Sequence, residues 1–385
     1  MTRWIAAGGA LVVSLDSMVN IAFPAMATAF AVPPDAMRWV IMCYVFTYSL
    51  VSFMGGALSD RIGHARVFST GLALSAVAFV LAASAPAFGW LLGARVLQGV
   101  GGGMIYGTAP GLVTLAASPS MRGRALGFLN GAIGVAFAIG PIVAGVLLDL
   151  SGWRAVFGSR LPVALAVLAW AWLALPRGER LTGHPLIAVG DVTRFPIVHA
   201  CALAFLANAG IFAIWLLAPF YLIQHRGHDA VIGGVLFMLT PLGTAVAAPL
   251  AGRLVDRLGA RLPSVVGLAL EAAGLLLLSG ATRTTPVIAV AAALFAAGFG
   301  LGLFQVPNMA AVMGAFPAGQ QGGAGGLAMM ARTLGIVAGV ATLSQVFATW
   351  RGSGFESGFA AAFVVAGAAV LVAALAALFS VRTID

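Results

Sequence analysis

The chain has 385 residues, 61% of them apolar and only 8% charged, with a mean hydropathy of +1.06. A soluble domain carries about 25% charged residues, so water cannot be the main solvent for this surface, and a soluble enzyme, a nucleic-acid-binding domain and a disordered chain are excluded. The formal charge of +9 comes entirely from arginine, since the 20 basic residues include no lysine; they stand between apolar segments, which points to membrane topology and not to nucleic acid.

A bilayer core about 30 Å thick takes about 20 apolar residues per helix. Apolar stretches separated by charged or Pro/Gly breaks predict twelve such helices. The first six are Trp4–Phe30, Trp39–Leu58, Val67–Ala85, Trp90–Ala117, Ala125–Leu148 and Val156–Leu175. The second six are Phe195–Gln224, Ile232–Leu254, Leu262–Ala281, Pro286–Met309, Gly323–Thr349 and Gly358–Val381. The runs are too long, and alternate too little, for membrane strands. Arg3, the apolar run after it and Ala25-Met26-Ala27 have the outline of a signal peptide, but the run exceeds an h-region and holds Asp16, so it reads as an uncleaved first helix.

Arginine counting sets the orientation. With the N-terminus in the cytoplasm, one face holds Arg3, Arg61, Arg66, Arg122, Arg124, Arg177, Arg180, Arg194, Arg253, Arg257, Arg261 and Arg382. The other holds Arg38, Arg154, Arg160, Arg226, Arg283 and Arg351; Arg95 and Arg332 remain inside helices. Twelve against six places both termini in the cytoplasm. All-arginine basicity with abundant Ala and Gly suggests a GC-rich genome, hence a bacterial inner membrane. Cys43 and Cys201 fall near opposite faces, beyond the about 7 Å that a disulfide spans, and are expected to be free thiols.

The polar stretch Pro176–Arg194 divides the chain into a first bundle over 1–175, a linker over 176–194 and a second bundle over 195–385. The halves repeat. Gly56-Ala57-Leu58-Ser59-Asp60-Arg61-Ile62-Gly63 recurs as Gly252-Arg253-Leu254-Val255-Asp256-Arg257-Leu258-Gly259, each after the second helix of its half. Asp16, Asn20 and Phe23 have counterparts at nearly the same offset in Asn208, Phe212 and Trp215, and the i, i+4, i+7 spacing puts each triplet on one helix face. The fold class is therefore all-α integral membrane, twelve transmembrane helices in two six-helix bundles related by pseudo-twofold symmetry, a pattern of secondary transporters.

On these residues the chain resembles the major facilitator superfamily over essentially its whole length. The G-x-L-x-D-R-x-G motif appears twice; after Gly63 the first copy has His64 and Ala65 where the family usually has basic residues. Arg95-Val96-Leu97-Gln98-Gly99-Val100-Gly101 matches the R-x-x-Q-G-x-G motif of proton-coupled members. Gly140-Pro141 with Ala144-Gly145 resembles the G-P-x-x-G-G antiporter motif, Ala144 replacing one glycine. The stretch Leu15–Pro24 looks like the L-D-x-T-x-x-N-x-A-L-P sequence of drug:proton antiporters, one residue short between Asp16 and Asn20. That shortening rotates Asp16 by about 100° from the family pattern.

Each motif also has a physical reading. Gly56 and Gly63 permit a tight turn, and Asp60 can accept hydrogen bonds at a helix N-terminus, where the dipole favours an anion; the resemblance implies a conformational latch against the eleventh helix. Asp256 and Arg257 repeat it, and Arg332 anchors the start of the eleventh helix or answers a carboxylate there. Asp16 and Arg95 are ionisable groups inside the membrane, where function is the default hypothesis. Asp16 lies about 18 Å above Trp4 and Arg95 about 8 Å below the outer face, a difference of about 4 Å in height. A carboxylate that exchanges its proton for substrate beside Arg95 is a coherent coupling device; a static buried ion pair is the plain alternative. Glu271 is a further proton-coupling candidate on a helix that is peripheral in the family, with Gly267 and Gly274 on its face. If the first, fourth, seventh and tenth helices line a cavity, its lining includes Asn20, Phe23, Gln98, Asn208, Phe212, Trp215, Phe304, Gln305 and Asn308, which suits an amphiphilic or aromatic molecule. His225, His228 and Asp229 form a loop cluster that reads as solvated; no metal, cofactor or nucleotide site and no catalytic constellation is expected. Gly140, Pro141 and Gly145 carry the exporter resemblance.

The expected function is a proton-coupled secondary active transporter, not an enzyme, exporting small hydrophobic or amphiphilic compounds by alternating access as a monomer in the bilayer. Its partners are the small-molecule substrate, protons and lipid. The alternatives are an importer or uniporter for a specific metabolite, and a non-transporting receptor on the same fold.

Overall fold

The computed structural model describes residues 1–32, 34–175, 189–228 and 230–379; positions 176–188 of the predicted linker, Asp229 and Arg382 lie outside the described residues. Among those residues there is no strand, and twelve long helices follow one another. They are α1 (Thr2–Ile21), α2 (Arg38–Ile62), α3 (His64–Ala83), α4 (Phe88–Leu115), α5 (Arg122–Ser151) and α6 (Trp153–Ala174). Then come α7 (Phe195–Pro219), α8 (Ala230–Leu258), α9 (Arg261–Ser279), α10 (Val287–Gly314), α11 (Gln321–Trp350) and α12 (Phe355–Ala377).

Eleven of the helices are long and apolar enough to cross a membrane on that count alone. The exception, α4, carries Arg95, Gln98 and a run of glycines. The glycines serve packing. Gly99, Gly103 and Gly107 repeat every four residues and bring α4 onto the backbone of α2, where an added Cβ would meet the carbonyls of Tyr44, Tyr48 and Ser52. Small residues at such spacing let membrane helices approach closely.

The two repeated turns are built alike. Gly63 closes α2 with φ +100° and Gly259 closes α8 with φ +74°, backbone that glycine adopts without strain. The chain divides into two compact units: Met1–Pro119, Ala136–Val192 and Met313–Met330 form one, and Ser120–Val135, Thr193–Val312 and Ala331–Asp385 the other. Helices α5 and α11 each contribute to both units. The first unit has a buried cluster around Met18, Met26, Leu91, Trp153 and Phe157. The second has one around Ile211, Leu275, Phe304, Phe359 and Phe363. Both cysteines are free.

Candidate functional site

Asp16 sits where α1 leaves α-helical geometry for a single 3-10 turn, Leu15–Ser17. Such a turn rotates each residue by about 120°, against about 100° in an α-helix. The tightened turn coincides with the shortened spacing between Asp16 and Asn20, so the local winding, and not a uniform helix, sets where the carboxylate points.

It points at two arginines. Arg95 donates from Nη1 to Oδ1 at 2.6 Å and from Nη2 to Oδ2 at 2.7 Å, a bidentate pair. Gln98 ties the pair together, donating to Asp16 Oδ1 at 2.9 Å and accepting from Arg95 Nη1 at 2.7 Å. Arg160 of α6 donates to the same Oδ1 at 2.9 Å and to the Val12 carbonyl at 3.1 Å. Arg95 Nε bonds the Val40 carbonyl of α2 at 2.9 Å. Each guanidinium lies 4.3 Å from an aromatic ring centroid, Arg95 over Tyr44 and Arg160 over Phe79, which adds cation–π attraction. Both arginines are 1% exposed, whereas the Asp16 side chain is 15% exposed. The carboxylate is thus the accessible member of a set holding two cations and one anion.

Arg160 corrects the sequence reading, which counted it among the arginines of one membrane face. The signal was available: the predicted helix Val156–Leu175 already enclosed it. Tyr44 had no signal beyond a place in an apolar run.

Gly140, of the antiporter-like motif in α5, packs against this turn; a Cβ there would collide with the Ser17 hydroxyl and come to 3.3 Å from Met18. Pro141 follows inside the helix, and Gly145 faces open space. The motif therefore touches the residues next to Asp16 through its first glycine.

The repeated turns hold helix N-termini. Asp60 accepts from the backbone N–H groups of Gly322 and Gly323, both at 2.8 Å, at the start of α11 and within its own unit. His64 approaches it to 3.4 Å. In the other unit Asp256 accepts from Gly123 at 3.0 Å and Arg124 at 3.3 Å, at the start of α5. Gly56 packs against Gly322. Arg61 and Arg257 are exposed. Arg332, grouped with the latch from sequence, instead donates to Asn130 at 3.1 Å and Gln305 at 2.9 Å inside the second unit.

The remaining candidates separate. Gln305 donates to Asn208 at 3.4 Å, continuing that polar chain, and both are buried. Phe212 stacks on Trp215 at 6.3 Å, and Phe237 of α8, missed from sequence, meets Trp215 edge-on at 5.0 Å; all three are half-buried. Asn20 is exposed and Phe23 half-buried, while Asn308 is buried. Phe304 is a correction: it is fully buried within the second unit's apolar cluster, with Gly267 of α9 against its backbone N and Cβ, and acts as packing. Glu271 stands apart in α9, fully buried. His225 pairs with Glu356 at 2.9 Å, and no group of three metal-ligating side chains occurs among the described residues.

The sequence matches the profile of the Major Facilitator Superfamily over residues 5–340 and again over 200–384. The chain belongs to this superfamily. A relative is the uncharacterized transporter YebQ of Escherichia coli (strain K12), 27% identical over 434 aligned positions that cover 96% of this chain and 94% of the relative. Another is the multidrug resistance protein Stp of Mycobacterium tuberculosis (strain CDC 1551 / Oshkosh), 26% identical with 90% of this chain and 76% of the relative covered. Among solved structures, the major facilitator proton:xylose symporter XylE bound to 6-bromo-6-deoxy-D-glucose superposes with a TM-score of 0.77 over 99% of this chain and 96% of that one, at 19% identity. That likeness shows the fold. This major facilitator protein is a multi-pass membrane transporter, and the Asp16 cluster is the densest set of buried charge described in it.

Proposed function

We propose that this superfamily member is a proton-coupled secondary active transporter that exports small hydrophobic or amphiphilic compounds by alternating access. The observation that carries the reading is Asp16, accessible and shared between two buried arginines. Its charge ties α1 to α4 and α6. Protonation cancels that charge and leaves two buried guanidiniums without a counter-ion, so α1 loses its ionic attraction to α4 and α6 and keeps only the Arg160 bond to the Val12 carbonyl among these contacts. Release of the proton restores it. A group whose charge state changes how helices pack is what coupling requires, since a ligand shifts a conformational equilibrium only through its differential affinity for the states.

Asp60 and Asp256 are the latches in this reading. Each fixes the first turn of a helix by charge-assisted hydrogen bonds to backbone N–H groups, a contact that a moving helix end must break. The stacked pair Phe212 and Trp215, with Phe237 and the Asn208–Gln305 chain, supplies the aromatic surface and polar hooks that suit an amphiphilic substrate. Export is favoured by the Gly140-Pro141 motif and by the similarity to the multidrug resistance protein Stp. We place both termini and the 176–194 segment in the cytoplasm and the protein in a bacterial inner membrane on the arginine count.

Proteoliposomes with an imposed pH gradient test the reading. The wild type is expected to move compounds from an amphiphile panel against the direction of proton flow, and Asp16→Asn to lose uphill transport while keeping downhill exchange. Uphill transport by Asp16→Asn overturns the coupling role. Movement in the direction of proton flow, or equilibration indifferent to the gradient, favours an importer or uniporter instead.

A further inference from the structure

Glu271 is fully buried at the middle of α9, and neither carboxyl oxygen has a hydrogen-bond partner. Native interiors rarely leave such a group unsatisfied, so it calls for an explanation. Its surroundings are closed. Gly267 and Gly274, one turn to either side, lie on the backbone of α10: a Cβ on the first would stand 2.7 Å from Gly300 O and Phe304 N, and on the second 2.7 Å from Ala293 O and Ala297 N. Gly300 in turn packs onto the backbone of Glu271. The two helices meet backbone to backbone around the carboxyl.

Among the described residues no charged side chain pairs with it. Over Val287–Gly314, α10 contains no ionisable residue. Helix α12, packed on α9, contains only Glu356, in its first turn and engaged by His225 and by the Arg283 N–H. Helix α7 contributes His199 and Cys201 near its start. Helix α8 contributes Arg253, Asp256 and Arg257 in its last two turns, Asp256 being held by Gly123 and Arg124. On α9 itself Arg261 is the first residue, about 15 Å along the axis. Arg332 is bonded to Asn130 and Gln305.

A lone carboxylate in an apolar membrane interior is strongly disfavoured. Two ligands could satisfy it. A bound cation needs several further oxygen ligands, and the neighbouring carbonyls belong to helix backbone. A proton needs none. We propose that Glu271 is a proton-binding site, distinct from the Asp16 cluster, at which the closed α9–α10 seam holds the neutral acid and loss of the proton requires the seam to open to water. Opening of the seam and proton release are then linked, because the proton binds one packing of the two helices and not the other.

Infrared spectroscopy of the full-length protein in lipid tests this without reference to transport. A carboxylic-acid C=O band is expected at neutral pH, lost in Glu271→Gln and retained in Asp16→Asn. Spectra of wild type and Glu271→Gln that coincide at neutral pH overturn the site. The link to seam opening rests on the transport reading and is tested separately. Glu271→Gln and Glu271→Leu, both checked for intact folding by thermal unfolding, are expected to keep substrate binding and to change the pH profile of turnover from that of wild type, Asp16 still being present. Turnover with the wild-type pH profile in both variants overturns the linkage and leaves export itself standing.

Discussion

Two buried carboxyls in one protein are treated in opposite ways. Asp16 is ringed by two guanidiniums and an amide, while neither Glu271 carboxyl oxygen has a hydrogen-bond partner among the described residues. The two differ in access, the Asp16 side chain being 15% exposed and Glu271 fully buried, and they differ still more in their neighbours. Helices α4 and α6 bring arginines to Asp16, whereas α10 brings glycine, alanine, Phe304 and backbone around Glu271. The first carboxyl can be an anion because its field is cationic; the second sits where charge of either sign would be uncompensated. A membrane protein can therefore hold one acid as an anion among cations and another as a neutral acid in an apolar seam.

Neutralising each acid gives the largest expected contrast. Asp16→Asn leaves two buried arginines uncompensated, and breaking such a pair costs about 3–5 kcal/mol. Glu271→Gln removes no ion pair and is expected to change stability by less than about 1 kcal/mol. Unfolding in detergent followed by fluorescence or circular dichroism measures both. Equal losses would mean that Glu271 has a charged partner in the protein.

Within the Asp16 cluster the two arginines are also unequal. Arg95 makes two bonds to the carboxylate and Arg160 makes one. Arg95→Ala should cost about 3–5 kcal/mol and Arg160→Ala less, because Asp16 keeps its bidentate partner. The reverse order in the same unfolding measurement would make Arg160 the principal counter-ion.

The packing of Gly140 against the Asp16 turn predicts an effect of about 1–3 kcal/mol for Gly140→Ala, as in other overpacked sites. Ser17→Ala in the same chain removes the colliding hydroxyl and should recover part of the loss. A double variant no more stable than Gly140→Ala would show that the hydroxyl is not the obstacle.

The two repeated turns give the smallest contrast. Both side chains are buried, but Asp60 holds its N–H partners at 2.8 Å, while Asp256 holds its own at 3.0 and 3.3 Å beside the half-exposed Arg124. Hydrogen bonds to charged acceptors are worth about 1.5–3 kcal/mol, so Asp60→Asn should slow the transport cycle and destabilise more than Asp256→Asn. Turnover and unfolding of the two variants compared side by side check this; a larger effect at Asp256 would reverse the ranking of the latches.

Much of this was legible before any fold was known. Composition excluded water as the solvent, apolar run lengths produced the helices to within a few residues except for the first, which was expected to reach Phe30 but breaks after Ile21 and resumes over Phe23–Ala29, and the repeated Asp-Arg turns announced two related halves. These are local properties: a run of about 20 apolar residues must be helical in lipid because every backbone group needs an internal partner. Partnership was not legible. Arg160 looked like a loop cation until α6 folded it beside α1, Phe304 looked like a cavity wall until it packed on Gly267, and Arg332, read as a helix-end anchor or the partner of a carboxylate, bonds two amides. The aim of Asp16 was set by a single 3-10 turn. Periodicity fixes which residues share a face of a helix, but only the packing of that helix against its neighbours decides what the face meets, and the energy of a buried charge depends almost wholly on what it meets.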